Sequence, residues 1–576
     1  MSNTNVSIGS MVHSFAEYPV GHFKRSGFKR DNWLLTAMNA GYIVPIWYDE
    51  AVPGDTLKMN IRTLTRLATQ IVPFMYNVYM DIHVWCVPHR LLWKNWVRMH
   101  GEQPNPGDSI DFLTPQLTTS NSTDCPIGSI YDYFGIVPGV ANETFNVFNF
   151  RAYNMVWNEF YRDENLQDRV FFTDEDTGDD FDKYTLLKRG KRKDYFTSCL
   201  PSPQKGQQVD LPLGQSADIT FSNTNVSVYG DGNPLGLYNG TNFRVLAMAP
   251  YDSTTTNGYI GLTTGNSVSG NVPGTLLNAY QSSNGNTSQA SAVGVTTSPS
   301  ASGLIGKITG NGTVDLSSAT AVTINSLYQA FAVQNLLVRD NRGGTRYIES
   351  ILAHFGVRSS DMRMQRPEFL GGGTFDLNLS VVPQTSSTDV TSPQGNLSSY
   401  GVIAGRTKNI IKSFEEFCVV FAVASIRAPY TYQYGLDKIY SRHSRFDYYY
   451  PELDNLGEQA VLNKEIYVSG NSNTDNGVFG YQERWAEMRT KLNRITGVLR
   501  SQAGLSLDVW HLAEEFSSTP LLNAEFIEEN PPIDRVIAVP EGSQTPQFIC
   551  NFAFDETWYR PMGLYSVPGL QGLGVM

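Results

Sequence analysis

The segment MYNVYMDIHVWCVP, residues 75–88, sets Tyr76, Val78, Met80, Ile82, Val84 and Cys86 on one side of an extended chain and Asn77, Tyr79, Asp81, His83 and Trp85 on the other. A period of two is that of a β-strand. It predicts a strand with one buried face and a second face that is only partly wet. FEEFCVVFAVASIR, over Phe414–Arg427, is almost continuously apolar and predicts a strand central to a sheet. NAGYIVPIWYDE (Asn39–Glu50) and Thr56–Arg66 read as two extended runs joined by a Pro53-Gly54 turn, and Thr374–Val382 and Gln547–Phe554 add further strands. The strands are scattered over the whole chain, so a mainly β parent domain is split by long insertions.

Helical spacing marks Leu91–His100 and Phe145–Glu164, the latter with Tyr153, Val156, Trp157, Phe160 and Tyr161 on one stripe. A helical hairpin is predicted over Asn325–Val357: Leu327, Ala330, Phe331, Gln334 and Leu337 share one side, Gly343-Gly344 stops the first helix, and Tyr347, Ile351, Leu352 and Phe355 mark the second. Tyr481–Arg500 also reads as helix. Gly9–Arg30 has neither period and reads as an extended arm. The sharpest compositional boundary is Pro201–Gly206. From Leu211 to Ala330 the only charges are Asp218, Asp231, Arg244, Asp252, Lys307 and Asp315, amid Gly, Ser, Thr and Asn. Interspersed Val, Ile, Leu and Tyr and frequent turn dipeptides make this a folded, surface-projecting β insertion rather than a disordered tail.

The chain has 576 residues, 43 basic and 55 acidic side chains and a net charge of −12. Charged residues are 17% of the total, against about 25% for a typical soluble protein, and aromatics are 12%. Whole-chain disorder is excluded, and low charge with many Tyr and Phe points to surface that other chains cover. The five cysteines, Cys86, Cys125, Cys199, Cys418 and Cys550, are far apart without CxxC spacing, which argues against a disulfide framework or zinc site. Residues 1–10 lack the pattern of a secretory signal, and no uncharged apolar run reaches membrane-spanning length, so membrane insertion is not expected.

Enzymatic motifs are missing. GLIGKIT (Gly303–Thr309) has Ile308 where a P-loop needs Ser or Thr, and neither GxSxG nor GxGxxG occurs. His83 and His89 flank a proline corner and read as structural histidines. Asp174, Asp176, Asp179, Asp180 and Asp182 could surround calcium, but the run departs from an EF-hand loop and a solvated acidic turn is favoured. Neither a catalytic residue, a metal site nor a cofactor is expected. Basic groups with neighbouring aromatics suit single-stranded nucleic acid. The candidates are Lys24, Arg25, Lys29 and Arg30, then Lys188, Arg189, Lys191, Arg192 and Lys193, then Arg339, Arg342 and Arg346. Intersubunit salt bridges are the alternative role for these residues. The net negative charge fits one basic face on an otherwise acidic protein.

Several stretches resemble a known family: FKRDNWLLTAMNAGYIVPIWYDEAVPGDT (Phe28–Thr56), WCVPHRLLWKNW (Trp85–Trp96), DYFTSCLPSPQKG (Asp194–Gly206), LVRDNRGGTRYIESILAHFGVRSSDMRMQRPEFLGG (Leu337–Gly372) and RPMGLYSVPGL (Arg560–Leu570). They are similar to the major capsid protein of Microviridae, the small icosahedral single-stranded DNA phages, in the gokushovirus branch. The resemblance implies an eight-stranded antiparallel viral jelly roll with long insertions, several helices and a surface protrusion. Residues 1–40 would be an internal arm, 41–206 the first part of the jelly roll, 207–322 a threefold protrusion, and 323–576 the remainder with a C-terminal arm. It further implies a homo-oligomer of sixty copies in a T=1 shell around circular single-stranded DNA, assembled in the bacterial cytoplasm and resident in the virion. A small basic DNA-binding protein, a pilot protein, a transient scaffolding protein and a bacterial surface receptor are the expected partners. Lys24, Arg25, Lys29, Arg30, Arg339, Arg342 and Arg346 are the expected DNA-facing residues, and Asp231, Tyr251, Asp252, Tyr259 and Tyr280 the expected host-attachment residues. The competing class is a carbohydrate-binding or glycan-cleaving β protein.

Overall fold

The computed structural model describes residues 24–207, 209, 236–238, 243–248, 262–264, 324–386, 388, 393–454, 456–538 and 545–565. The chain divides into two compact units, Met1–Gln208 with Val333–Met576, and Val209–Ala332. In the second unit, Gly236–Tyr238, Phe243–Met248 and Leu262–Thr264 form a three-stranded antiparallel sheet.

The larger unit is built on one curled antiparallel sheet of ten strands: β1 (Ser26–Lys29), β2 (Asn32–Met38), β3 (Val44–Ala51), β4 (Thr56–Leu67), β5 (Tyr79–Pro88), β6 (Glu368–Pro383), β7 (Leu397–Arg406), β8 (Ile410–Ser413), β9 (Cys418–Arg427) and β10 (Phe548–Arg560). Their order is β1-β10-β4-β7-β6-β5-β9-β3. Strand β2 extends the β1 position along β10, and β8 extends the β7 position along β4. The result is an antiparallel jelly roll with insertions. Strand β6 is its joint, because Glu368–Asp376 pair with β5 and Leu377–Pro383 pair with β7. The pairing with β5 slips between Phe369 and Gly371, where Gly371 takes a φ of +144°, a conformation open chiefly to glycine.

The alternation of residues 75–88 is the observed one. Val78, Met80, Ile82, Val84 and Cys86 are buried in the inner core with Leu57, Met59 and Ile61 of β4 and Phe548, Phe552, Phe554 and Trp558 of β10. Each such side chain contributes about 1.5–3 kcal/mol by leaving water. Strand β9 lies between β5 and β3 and is buried from Cys418 to Ile426, as a continuous apolar run requires. The second face of β5 is drier than its sequence suggests. Trp85 and Val87, with Val419, Phe421 and Val423 of β9, pack in a second core against the helix Phe148–Val156 and its π-helical extension Trp157–Tyr161.

The Pro53-Gly54 turn and the glycine stop of the helical hairpin are observed, with Gly54 at φ +89° and Gly344 at φ +99°. The hairpin helices span Ile324–Gly343 and Tyr347–Phe355. Two helical expectations are corrected. Leu91–His100 is not one helix but two single turns, His89–Leu92 and Trp96–Met99, because Trp93 between them is drawn wholly into the core and donates its indole N–H to Asp176 at 2.6 Å. Tyr481–Arg500 holds the strand Val478–Glu483, paired with Glu458–Leu462, and then only the single turn Ala486–Arg489 before the next turn at Gly497–Leu499. Trp485, at φ +66°, stops any helix that would start earlier.

Candidate nucleic-acid and assembly surfaces

The basic run at Lys188–Lys193 is engaged by partners within the chain. The Asp81 carboxylate, on the helix-covered face of β5, has no exposed side-chain surface. Its Oδ2 accepts from Arg189 at 2.9 Å, Arg192 at 2.7 Å and Arg427 at 2.9 Å, and its Oδ1 accepts from the Thr374 hydroxyl at 2.6 Å. Burial alone would raise its pKa, but the Thr374 and Arg427 hydrogen bonds and the charges of Arg427 and Arg189 together hold it well below the usual carboxylate range. Lys191 pairs with Glu514 at 3.1 Å, both sheltered, and Lys193 pairs with Asp163. The acidic run before them is likewise occupied. Arg151, wholly buried, is bound to Asp179 and to the Leu92 and Glu175 carbonyl oxygens, while Asp176 accepts from Trp93 and Asn95. Among the described residues no group of His, Cys, Asp and Glu is arranged to hold a metal ion. The five cysteines are free and buried, and no described helix is long and apolar enough to cross a membrane.

The basic residues of the N-terminal segment do reach the surface, yet most have partners. Lys29 pairs with Asp31 at 2.8 Å and Arg30 with Asp49 at 2.6 Å, and Arg25 donates to Thr56 and the Tyr559 carbonyl. Lys24 is exposed. In the hairpin, Arg342 pairs with Glu458, and Arg346 lies between Glu164 at 3.0 Å and Glu349 at 3.2 Å. Arg339 is exposed on the first helix. The ion pairs of Arg30, Arg342 and Arg346 thus lie within the chain. Asp231, Tyr251, Asp252, Tyr259 and Tyr280 lie outside the described residues.

His83 and His89 sit in separate aromatic settings. His83 shares a 2.7 Å hydrogen bond with the Tyr161 hydroxyl and stacks on that ring, whereas His89 is buried and stacks on Trp96 at 4.3 Å. Burial pushes both down to about 4, helped at His83 by the Arg189 charge. The unfolded chain protonates these imidazoles near 6.5 and the folded chain does not. Stability is therefore lost as pH falls from about 6.5 to about 4, by on the order of 3 kcal/mol per histidine. Glu529, wholly buried and pushed up to about 7 by that burial, opposes the trend by taking up a proton in the folded state. The clean measurement is a difference: melting midpoints of His89→Phe should fall less than those of the parent between pH 7 and pH 4.5. Parallel curves would exclude His89 as a source of acid sensitivity.

Large apolar side chains remain open to solvent over much of the chain. On the hairpin these include Phe331 at 58% and Phe355 at 78% exposed, and elsewhere Leu113, Ile127, Met75 and Leu505. Exposure on this scale is that of a subunit whose faces other chains cover. The hairpin's apolar stripe is legible in the sequence, but the surface it packs on is not. A periodic apolar pattern does not say which molecule provides the opposing surface.

A jelly roll with charges largely paired within the chain and with open apolar faces has the features of a structural subunit that other chains cover. The sequence model of the family described as Capsid protein (F protein) matches residues 16–570. The chain is 43% identical to the capsid protein VP1 of Bdellovibrio phage phiMH2K, over 97% of this chain and 98% of that one. It is 39% identical to the capsid protein VP1 of Chlamydia phage 1, over 97% and 98%, and 35% identical to that of Spiroplasma virus 4, over 98% of each. The chain belongs to this family, the coat proteins of gokushovirus-type Microviridae, and is a structural component of a virion.

Proposed function

We propose that sixty copies of this chain close into a T=1 icosahedral shell around circular single-stranded DNA, with the insertion at residues 207–322 forming a threefold protrusion that attaches to the host. The observation that carries this reading is the similarity to VP1 capsid proteins along nearly the whole chain. Open apolar surface supports it physically, since closed symmetry lets several modest interfaces per subunit add cooperatively. The insertion's scarcity of charge and its wealth of Ser, Thr, Asn and Tyr suit adaptable polar contacts with a bacterial surface receptor. Assembly in the bacterial cytoplasm would involve a transient scaffolding protein, a pilot protein and a small basic DNA-binding protein. That basic protein neutralises DNA and allows a coat of net charge −12.

Electron cryomicroscopy of purified particles tests the reading. Sixty-copy shells with knobs at the threefold axes are expected, and deletion of Asp218–Asp315 should leave shells that no longer adsorb to host cells. Monomers or small oligomers from material made with all partner proteins would refute the shell, and infectious deletion particles would refute the attachment role.

A further inference from the structure

One half of the sheet, the β2-β10-β4-β7 side, turns its outer face to solvent, and among the described residues no helix packs over it as over β5 and β9. Along β4 the inward residues are buried, while Lys58, Arg62, Leu64 and Arg66 are exposed. Strand register carries this pattern across the neighbours. Lys29 lies beside Thr557, which lies beside Lys58. Trp33 lies beside Ala553, Ala553 beside Arg62, and Arg62 beside Arg406. Five cations thus share one face. Its acids are Asp555, bound to Arg62 at 2.7 Å and Arg406 at 3.4 Å, and Asp31 at the rim on Lys29. Lys58 and Arg66 have no carboxylate partner among the described residues. Amid them the Trp33 indole is 69% exposed, and the same register sets Leu35, Leu64, Ile411 and Ile549 open to solvent between the cations.

A positive face on a chain of net charge −12 is a segregation of charge. Self-repulsion opposes it unless a polyanion is the partner. The spacing is regular: Lys58, Arg62 and Arg66 recur every four residues on the same side of one strand, about 13 Å apart. A basic track with an open aromatic ring is the equipment for single strands, phosphates on the cations and a base stacked on the ring, without preference for sequence. A second copy of this chain would cover the apolar side chains but would bury Lys58 and Arg66 without carboxylate partners, which the core of a protein interface disfavours. A small basic protein would be repelled.

We infer that this sheet face binds single-stranded DNA, with Lys58 and Arg66 as the principal phosphate contacts and Trp33 as the stacking platform. The inference rests on the coat-protein reading for the identity of its ligand as a packaged genome. It adds Trp33, Lys58, Arg62, Arg66 and Arg406, none of them among the sequence-derived candidates, and relegates Arg30, Arg342 and Arg346 to intramolecular pairing.

Two measurements test it. In genome-filled particles, ultraviolet cross-linking and peptide mass spectrometry should find nucleotide adducts on the peptide containing Trp33. In solution, the full chain is titrated with a fluorescent oligothymidine of about 30 nucleotides at several salt concentrations. Lys58→Gln combined with Arg66→Gln should weaken binding at least tenfold and flatten the salt slope by roughly 1.4, about 0.7 for each lost phosphate contact. Trp33→Ala should weaken binding severalfold at an unchanged salt slope, and Trp33→Tyr should restore it. Intact shells whose adducts all lie elsewhere, or in which this face cross-links to another copy, would overturn the inference while leaving the shell reading standing. An unchanged salt slope in the double variant would also overturn it. Loss of shells with oligothymidine binding and its variant pattern retained would refute the shell reading and support the face.

Discussion

Asp81→Ala is expected to cost the larger unit about 3–5 kcal/mol, the usual consequence of removing one partner from a buried ionic group. The three guanidiniums on Asp81 come from distant parts of the chain, two from the segment before Asp194 and one from the end of β9. Without the carboxylate, Arg189 and Arg427, both nearly enclosed, would stand unpaired beside each other under the helical layer. Soluble yield should collapse, and any folded fraction should melt about 4 °C or more below the parent. Arg192 is half exposed and can turn to water, so Asp81→Asn combined with Arg192→Gln should recover part of the loss. A parental melting curve for Asp81→Ala would show that the cluster does not hold the helical insertions to the sheet.

Gly372→Ala should be comparably damaging for a different reason. A Cβ at this position would lie 2.0 Å from the Ile82 carbonyl oxygen on the neighbouring strand, a contact that backbone cannot relieve without opening the β5–β6 ladder. That ladder joins the two halves of the sheet, so the expected effect is loss of several kcal/mol, of the order seen for strained or overpacked cores. Amide hydrogen exchange should rise selectively on β5 and on Glu368–Asp376. Gly504→Ala, where an added Cβ meets nothing within 4 Å, serves as the near-neutral control. Equal stability of the two variants would discard the close-approach account.

What could be read in the sequence follows from how local each signal is. Strands β5 and β9 declare themselves, because alternation and continuous burial are properties of consecutive residues. Asp81 does not. Its residue type on a strand face suggests a wet surface, and the three arginines that make it a buried anchor lie far along the chain. For the same reason Lys188–Lys193 resembles a nucleic-acid patch when viewed alone. The basic sheet face is hidden in the opposite way: Lys58, Arg62 and Arg66 are ordinary polar positions of an amphipathic strand, and only register through β10 with β1 and β2 gathers them with Lys29 and Trp33. Gly371 and Gly372 are visible as letters, but the bulge and close approach that require them involve a partner strand almost 300 residues earlier. The long stretch from Tyr430 to Ile537 carries little regular structure because it is held by scattered side-chain bonds such as Arg500 to the Gln433 carbonyl and Arg535 to Glu515.

The position of β10 also imposes an order of events during synthesis. It is inserted between β4 and the β1-β2 edge, although it is made roughly 480 residues after β4, which at 5–20 residues per second means about 25–100 s during which those edges lack their partner. A ribosome that stops before Phe548 leaves a chain with a gap in its sheet and the aromatic wall of its core absent. Such a product cannot offer the surfaces that a finished subunit offers its neighbours. The fold thereby acts as its own proofreader, admitting to assembly only chains whose translation has passed β10.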